Sequence, residues 1–233
     1  MTKSPHAAED LFGAIFPPRR IKVLGAGRFG RLAAVRLKVR FPEAALSVTD
    51  SDVRKVSEIS RELEIAGEVG ECIASLGRAE LEDDLWLVPS VPVHVAFEWV
   101  LSELARSGNP QRLPVPPEVD AQVPNPFRLS SDTLYASFAT FLCPDHCSEP
   151  DELCTHTGKK RPGNLFEVLG GIDVPGVSVR VLRSLQLAPG VGGYPARSLC
   201  RLAAEIGAEP GGWLIATSCR CHAVINGLEW RTK

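Results

Sequence analysis

The chain has 233 residues, of which 44% are hydrophobic and 23% charged, and its formal net charge is −2. This composition fits a globular protein of one large or two small domains. So small a net charge provides no general field for nucleic acid or anionic lipid, and no apolar run is long enough to span a bilayer. We therefore expect neither nucleic acid nor a membrane span. The acidic N-terminal segment lacks the apolar core of a signal peptide, which favours the cytoplasm.

The first 20 residues are expected to form an N-terminal appendage, because Pro17 and Pro18 end any helix that precedes them. Residues 21–106 follow as the first half of the domain. Residues 21–24 are apolar and suited to a buried parallel strand. The chain is thus expected to enter its first sheet directly after the two prolines.

A glycine-rich loop comes directly after this strand: residues 25–30, GAGRFG, match G-x-G-x-x-G. Gly25 allows the tight turn, Gly27 lets the backbone approach a pyrophosphate, and Gly30 lets the next helix pack closely on the strand. That helix is predicted over residues 28–40, and its N-terminal amides would face the phosphates. Arg28 is either a phosphate contact or an exposed helix arginine.

The second strand, residues 45–49, ends in Asp50, about twenty residues beyond the loop, where an acid usually binds the adenosine ribose hydroxyls. A carboxylate there would repel a 2′-phosphate and favours NAD over NADP, although Arg54 and Lys55 weaken the inference. Strand, loop, helix, strand and acid in this order predict dinucleotide or related adenine-nucleotide binding. The alternative is a domain of this shape that has lost its ligand.

The segment GAGRFGRLAAVRL, followed by LSVTDSDVRKV, resembles the TrkA-N type of NAD-binding domain, the nucleotide-binding lobe of potassium-transport regulators. The resemblance covers about residues 21–63 and implies a Rossmann fold. Beyond this segment the chain departs from the regulators, so potassium regulation is not implied. By this resemblance the nucleotide site would consist of Gly25, Gly27, Arg28, Phe29, Gly30 and Asp50.

Further elements are predicted as a helix over 53–66, strands over 71–76 and 84–88, and a helix over 95–106. His94 precedes the last helix, at the expected carboxyl edge of the sheet, and is a candidate catalytic proton carrier or metal ligand. The alternative is a histidine packed locally at the helix start. Residues 107–130 hold six prolines and are predicted to be a linker or a crossover.

The second half, residues 131–233, continues the α/β pattern. Strands are predicted over 134–142, 177–187 and 212–218, and helices over 164–169 and 196–206. The expected fold is Rossmann-like, a mostly parallel sheet with helices on both faces. The cysteine-containing C-terminal half should extend it, as strands of the same sheet or as a small second lobe.

Five of the seven cysteines form two groups, each after a predicted strand. If both strands belong to one parallel sheet, the groups meet at one edge, where thiolates could hold zinc or an iron–sulfur cluster. Nearby histidines would suit zinc. The alternatives are reversible dithiol pairs or plain reduced cysteines, with Cys200 in the core. The candidate metal ligands are Cys143, Cys147, Cys154, Cys219 and Cys221.

Two further segments suggest anion binding. Residues 188–195, APGVGGYP, place glycines before a helix, so the loop could hold a carboxylate or phosphate, with Tyr194 as hydrogen-bond donor and catalytic candidate. A sharp turn without ligand is the alternative. The run Lys159-Lys160-Arg161 is either a solvated loop or a contact for an anionic substrate or partner.

These features predict an NAD-linked oxidoreductase that acts on a small molecule beside a cysteine-ligated metal or iron–sulfur site. One alternative is a non-catalytic nucleotide- or redox-sensing module of the TrkA-N kind. Another is an NAD-binding domain with a purely structural zinc site. The substrate stays open at this stage, and so does the formation of a homo-oligomer.

Overall fold

The structure is a computed structural model that describes residues 17–81 and 84–232; most of the expected N-terminal appendage, residues 1–16, lies outside them. In chain order the strands are Arg20–Leu24 (β1), Ala45–Asp50 (β2), Ala66–Val69 (β3), Leu85–Pro89 (β4), Gln111–Leu113 (β5), Phe127–Ser130 (β6), Thr133–Ser137 (β7), Val177–Arg183 (β8), Leu185–Ala188 (β9), Val191–Pro195 (β10), Gly211–Ser218 (β11) and His222–Trp230 (β12). The helices are Arg28–Arg40 (α1), Val53–Leu63 (α2), Arg78–Leu81 (α3), Val95–Leu104 (α4), Leu165–Gly170 (α5) and Arg197–Ala208 (α6), with a 3-10 helix at Pro117–Gln122.

The first sheet has the strand order β3-β2-β1-β4-β10-β9. Its first four strands are parallel, and β1 lies between β2 and β4. Strand β10 pairs antiparallel with β4, and β9 pairs antiparallel with β10. Strands β1 and β4 are largely buried, which explains their nearly continuous apolar sequences.

The second sheet has the order β6-β7-β12-β11-β8, and β5 also pairs with β12. Only β8 and β11 are parallel neighbours. The connections β6–β7 and β11–β12 are too short for a parallel crossover, so these pairs are antiparallel. The fold is therefore mixed α/β with two sheets. The sequence predicts a mostly parallel sheet, and parallel strands are found at β3-β2-β1-β4, while both sheets as wholes are mixed. In residues 131–232, β9 and β10 extend the first sheet, whereas β7, β8, β11 and β12 belong to the second.

Several elements agree with expectation and others do not. Helix α1 has the predicted bounds, and β1, β2, β4 and β11 differ by a residue or so. Residues 71–76 form a turn rather than a strand, and residues 177–187 divide into β8 and β9, which belong to different sheets. Strands β10 and β12 were not predicted. The proline-rich stretch 107–130 contains β5, the 3-10 helix and β6.

Helix α1 packs through small residues. Gly30, Ala33, Ala34 and Leu37 are buried, whereas Val39 is 79% exposed. The sequence pattern suggests Leu32, Val35, Leu37 and Val39 as much of the apolar surface of this helix, and of these four only Leu37 is buried. Its close approach to the sheet leaves room for alanine side chains but not for a row of valines.

The largest core cluster joins the two sheets. It contains Leu87 and Tyr194 from the first sheet, Phe97 and Trp99 from α4, and Ile215 from the second sheet. Helix α4 packs against α6 and against β11 and β12. The two sheets therefore share one core. No helix among the described residues is long and apolar enough to cross a membrane.

Candidate functional site

The glycine-rich loop connects β1 to α1, and two of its glycines are fixed by packing. Gly25 has φ +107, and its N–H donates to Thr49 O at 2.8 Å. A Cβ on Gly25 would lie 2.8 Å from Ser90 O, and one on Gly30 would lie 1.8 Å from Gly25 O. Both positions therefore exclude any side chain, as the sequence predicted for the turn and the helix–strand contact.

The middle glycine is different. Nothing lies within 4 Å of a Cβ built on Gly27, so its surroundings are open. Gly27 is also the N-cap of α1 and supplies no side-chain cap, and Phe29 in the first turn is 59% exposed. This 13-residue helix thus begins beside open space, and its N-terminus carries the positive end of the helix dipole.

The carboxylate of Asp50 holds the loop in place. Asp50 Oδ2 accepts from the N–H of Ala26 at 2.7 Å, and Oδ1 accepts from the N–H of Asp52 at 2.8 Å. Sequence reasoning placed Asp50 at the end of β2 but missed this bond to the loop. A carboxylate has about four acceptor positions, so Asp50 keeps capacity for further donors.

The cysteine loop, residues 143–147, contacts α1. Arg28 Nη2 lies 2.7 Å from Asp145 Oδ2 in an exposed ion pair. Arg36 Nη1 donates to the carbonyls of Asp145 and of Pro189, the latter at 2.6 Å. The glycine-rich loop and the cysteine loop are therefore neighbours, although 117 positions separate Arg28 from Asp145.

A cavity of about 820 Å³ lies beside the cysteine loop. Its wall includes Pro89 at the end of β4, Tyr194 of β10 and Thr217 of β11. Strands β7 and β11 both pair antiparallel with β12, so they run in the same direction and their carboxyl ends meet at one edge. The predicted convergence is thus found at an edge of the second sheet, and all five candidate ligands line the cavity: Cys143, Cys147, Cys154, Cys219 and Cys221.

His222 lies between two of these thiols. Its Nε2 is 3.5 Å from Cys143 Sγ, and its Nδ1 is 3.8 Å from Cys219 Sγ. Burial raises the pKa of Cys219 to about 12, and the nearby charge of Glu149 adds to the rise. Burial also raises the pKa of Cys143, with neighbouring thiols contributing. Because both pKa values are raised, both thiols are protonated at neutral pH unless a cation binds beside them.

The thiols share a cavity but are not arranged as a finished metal site. Within residues 17–81 and 84–232, no three or more His, Cys, Asp or Glu side chains form a group that could hold a metal ion. Soft thiolate donors suit zinc or an iron–sulfur cluster, so the donor chemistry fits while the arrangement is open. Binding would require the segments that carry the cysteines to close around the metal.

Two cavity-lining side chains have buried polar atoms that lack hydrogen bonds among the described residues: Tyr194 at its hydroxyl and Arg161 at Nε. Tyr194 is 1% exposed, and its burial raises the pKa of the phenol, which therefore stays neutral. Arg161 is 9% exposed. Sequence reasoning favoured a solvated loop for Arg161, and its burial gives no signal in a run of three basic residues.

His94 lies in the interior rather than in the cavity wall. Its Nδ1 is 2.8 Å from Asn226 Oδ1, and its Nε2 is 2.8 Å from Thr217 Oγ1. The amide nitrogen of Asn226 donates to Asp132 O and Thr133 Oγ1, so its oxygen faces the histidine. Nδ1 is therefore the protonated nitrogen, and His94 reaches the cavity only through Thr217.

The segment 188–195 is not a loop before a helix. Residues 189–190 form the turn between β9 and β10, and Tyr194 lies within β10, opposite Leu87 of β4. The expected anion-binding geometry at the start of α6 is therefore corrected. A Cβ on Gly193 would lie 2.7 Å from Leu87 O, so these glycines allow close strand packing. Gly190 N–H donates to Cys147 O at 2.7 Å and fastens the turn to the cysteine loop.

Comparison with curated proteins and with solved structures found no match. The family model AF_1314_C, described as "Uncharacterized protein, C-terminal domain", matches residues 96–231. This range covers α4 to β12, including the five cysteines of the cavity and most of the cavity wall. The glycine-rich loop, residues 25–30, lies outside it. Since the match covers more than half of the chain, the chain belongs to this family.

Proposed function

We propose that the protein binds an NAD-type dinucleotide at the carboxyl edge of the first sheet. One observation carries the proposal: β3-β2-β1-β4 are parallel, and the glycine-rich loop follows β1. This order matches the first four positions, 3-2-1-4, of the Rossmann strand order, in which the pyrophosphate lies on the N-terminus of the first helix. The TrkA-N resemblance covers about residues 21–63, which is β1 to α2 of this unit.

The nucleotide contacts follow from this placement. The open space at Gly27 would receive the pyrophosphate, with Arg28 and Phe29 beside it. Asp50 would accept from a ribose hydroxyl with the acceptor capacity that its two backbone donors leave unused. A carboxylate at this position favours NAD over NADP, because it repels a 2′-phosphate.

The cavity supports an oxidoreductase. Pro89 ends β4 next to the glycine-rich loop and also lines the cavity, so the nicotinamide ring of a bound dinucleotide would point toward it. Tyr194 would act as a neutral hydrogen-bond donor to the substrate, and His94 would orient Thr217 from behind. The cofactor would carry the hydride, while the protein aligns the substrate.

Exchange of Gly27 for valine tests nucleotide binding. We expect Gly27→Val to weaken NADH binding, measured by calorimetry, at least about tenfold, since the new side chain fills the pyrophosphate space. The fold should tolerate it, because nothing lies within 4 Å of the new Cβ.

Gly77→Val is the matched control, as a Cβ on Gly77 also meets nothing within 4 Å. It should bind NADH like the wild type. Equal binding by wild type and Gly27→Val, together with unchanged binding by Asp50→Ala, would remove the proposal.

A metal ion or iron–sulfur cluster held by the cysteines belongs to the same proposal, supported by the convergence of five thiols on one cavity. Cys143 and Cys219, which flank His222, are the first ligands to test. Metal analysis and an absorption spectrum of anaerobically purified protein should detect zinc or iron. Cys143→Ala should lower the content, whereas Cys200→Ala, which changes a cysteine packed against the core, should not. If neither metal is found, the thiols would be either reversible dithiol pairs or plain reduced cysteines.

A second candidate is a sensing module without turnover. It is favoured by the Arg28–Asp145 ion pair, which connects the nucleotide loop to the cysteine loop. NAD affinity should then differ between reduced and diamide-oxidised protein, and Arg28→Gln should diminish the difference. The same affinity in both states would speak against sensing.

A further inference from the structure

Arg161 is a buried cation whose nearest partners are uncharged. Its Nη1 donates to Pro150 O at 2.6 Å and its Nη2 to Gly163 O at 3.2 Å, while Nε lacks a partner among the described residues. Burial of a charge without a counter-ion is costly. Two backbone carbonyls offset only part of this cost, and no carboxylate of the described residues forms an ion pair with Arg161.

Two of the acids near this wall are paired with arginines. Asp151 pairs with Arg220 at 2.5 Å, and Asp145 pairs with Arg28 at 2.7 Å. Glu149 accepts from the backbone N–H of Arg220, a neutral donor, so among the described residues one carboxylate charge stays unpaired on the wall. Cationic side chains on the wall, by contrast, are in excess, since Lys159 and Lys160 line the same cavity and are exposed.

The remaining wall is largely apolar. Tyr135, Phe138 and Phe141 line it, and the cavity of about 820 Å³ falls within the size range of small-molecule sites, about 300–1,000 Å³. Tyr194 adds a phenol without a hydrogen-bond partner in the described chain. The wall thus combines aromatic surface with unbalanced positive charge.

We propose that this cavity binds a small organic anion, whose carboxylate or phosphate group is held by Arg161 and the two lysines and whose apolar part lies on the aromatic wall. The identification of this anion as the substrate rests on the proposed function; the binding site itself does not. Guanidinium groups bind carboxylate and phosphate through charge-assisted hydrogen bonds. The bound anion would thus be the counter-ion of Arg161.

Calorimetry with three probes, in the absence of nucleotide, tests the site. We expect benzoate to bind and benzamide, which has the same shape without the charge, to bind at least about tenfold more weakly. Inorganic phosphate separates the two sources of charge: if it displaces benzoate, the site accepts phosphate groups as well. If it does not, the site is specific for carboxylates.

Variants locate the site. Arg161→Gln should abolish benzoate binding. Because Arg161 also connects two backbone segments, Lys159→Gln with Lys160→Gln provides a second variant at exposed positions and should weaken binding about threefold to tenfold. Arg201→Gln, an exposed arginine of α6 outside the cavity wall, is the matched control and should bind like the wild type.

The proposal is overturned if benzamide binds as well as benzoate, if benzoate does not bind, or if the lysine variant binds benzoate like the wild type. Gly27→Val should bind benzoate normally. Loss of nucleotide binding and loss of anion binding are thereby distinguished, because each has its own variant and its own probe.

Discussion

Buried polar side chains fall into two groups in this protein. Lys22 of β1 is 3% exposed, yet its ammonium lies 2.8 Å from Glu68 and 3.3 Å from Glu80. His94 likewise has a partner for each ring nitrogen. Arg161 and Tyr194 instead retain polar atoms that the described chain does not satisfy, and both line the cavity. Ser60 Oγ, which lies outside the cavity wall, also lacks a partner among the described residues, so it is the unsatisfied atom together with the cavity that points to a ligand at Arg161 and Tyr194.

The histidine makes stability depend on pH. Burial lowers the pKa of His94 from 6.5 to about 4, and the bond to Asn226 opposes the shift. Between these values the unfolded chain binds more protons than the folded one, so stability falls as pH decreases from about 6.5 to about 4, by about 3 kcal/mol in total. Urea unfolding at pH 7 and pH 4.5 should show a larger loss for the wild type than for His94→Gln. Equal losses would show that His94 does not titrate in this way.

At the scale of elements, the β9–β10 turn fixes the position of the cysteine loop. Gly190 has φ +67, and a Cβ there would lie 1.8 Å from Asp145 O. Arg36 and the side chain of Gln186 hold the same loop through the carbonyls of Asp145 and Cys147. The turn, rather than the cysteines themselves, therefore shapes this wall of the cavity.

Gly190→Ala at this turn should lower the free energy of unfolding by more than the left-handed backbone conformation alone would. Gly176 has φ +75, with nothing within 4 Å of a Cβ, so Gly176→Ala should cost only the left-handed strain, about 1 kcal/mol. Gly190→Ala adds a clash with backbone and should lower the free energy of unfolding by clearly more, as urea titration would measure. Similar losses for both variants would mean that the cysteine loop moves away freely.

Local patterns were sufficient for elements whose packing is local. The loop at residues 25–30 and helix α1 follow from glycines in close backbone contact, Gly30 with Gly25 and Gly25 with Ser90. Strand β12 could not be predicted in this way. It contains Asn226, whose side-chain oxygen bonds to His94 at the start of α4, and Gly227, where Leu113 O lies 2.5 Å from a built Cβ. Both residues are unusual in a strand and become favourable only through distant partners.

At residues 71–76 the sequence predicts a strand where the structure has a turn. Its apolar side chains suggest a strand, but Leu76 is buried in the core, and its carbonyl accepts from Trp99 Nε1 at 3.0 Å. The sequence predicts the convergence of the cysteine groups on the condition that the strands before them share one direction, which the pairing of β7 and β11 with β12 provides. The burial of Arg161 depends on carbonyls of Pro150 and Gly163, which no spacing rule anticipates.

At the scale of the molecule, the two sheets share the cluster around α4. Trp86 lies in the first sheet, Trp99 in α4, and Trp213 and Trp230 in the second sheet, and all four are buried. Tryptophan fluorescence therefore reports on both sheets and on the helix between them.

We expect a single unfolding transition in urea, because separating the sheets would expose this shared cluster. Fluorescence and far-ultraviolet circular dichroism should give the same midpoint. Two separate midpoints would show that the sheets unfold as independent units.

The pairing of β10 with β4 also limits how this architecture can be rearranged. The family match begins at residue 96, after β4, yet it includes β9 and β10, and the neighbour of β10 in the first sheet is β4. The matched region is thus not self-contained, since without a strand in the place of β4 the backbone of β10 at Tyr194 would lose its ladder partner. A recombinant that transfers this region to another protein must bring a strand with it, so the recombination boundary lies before β4 rather than at the start of α4.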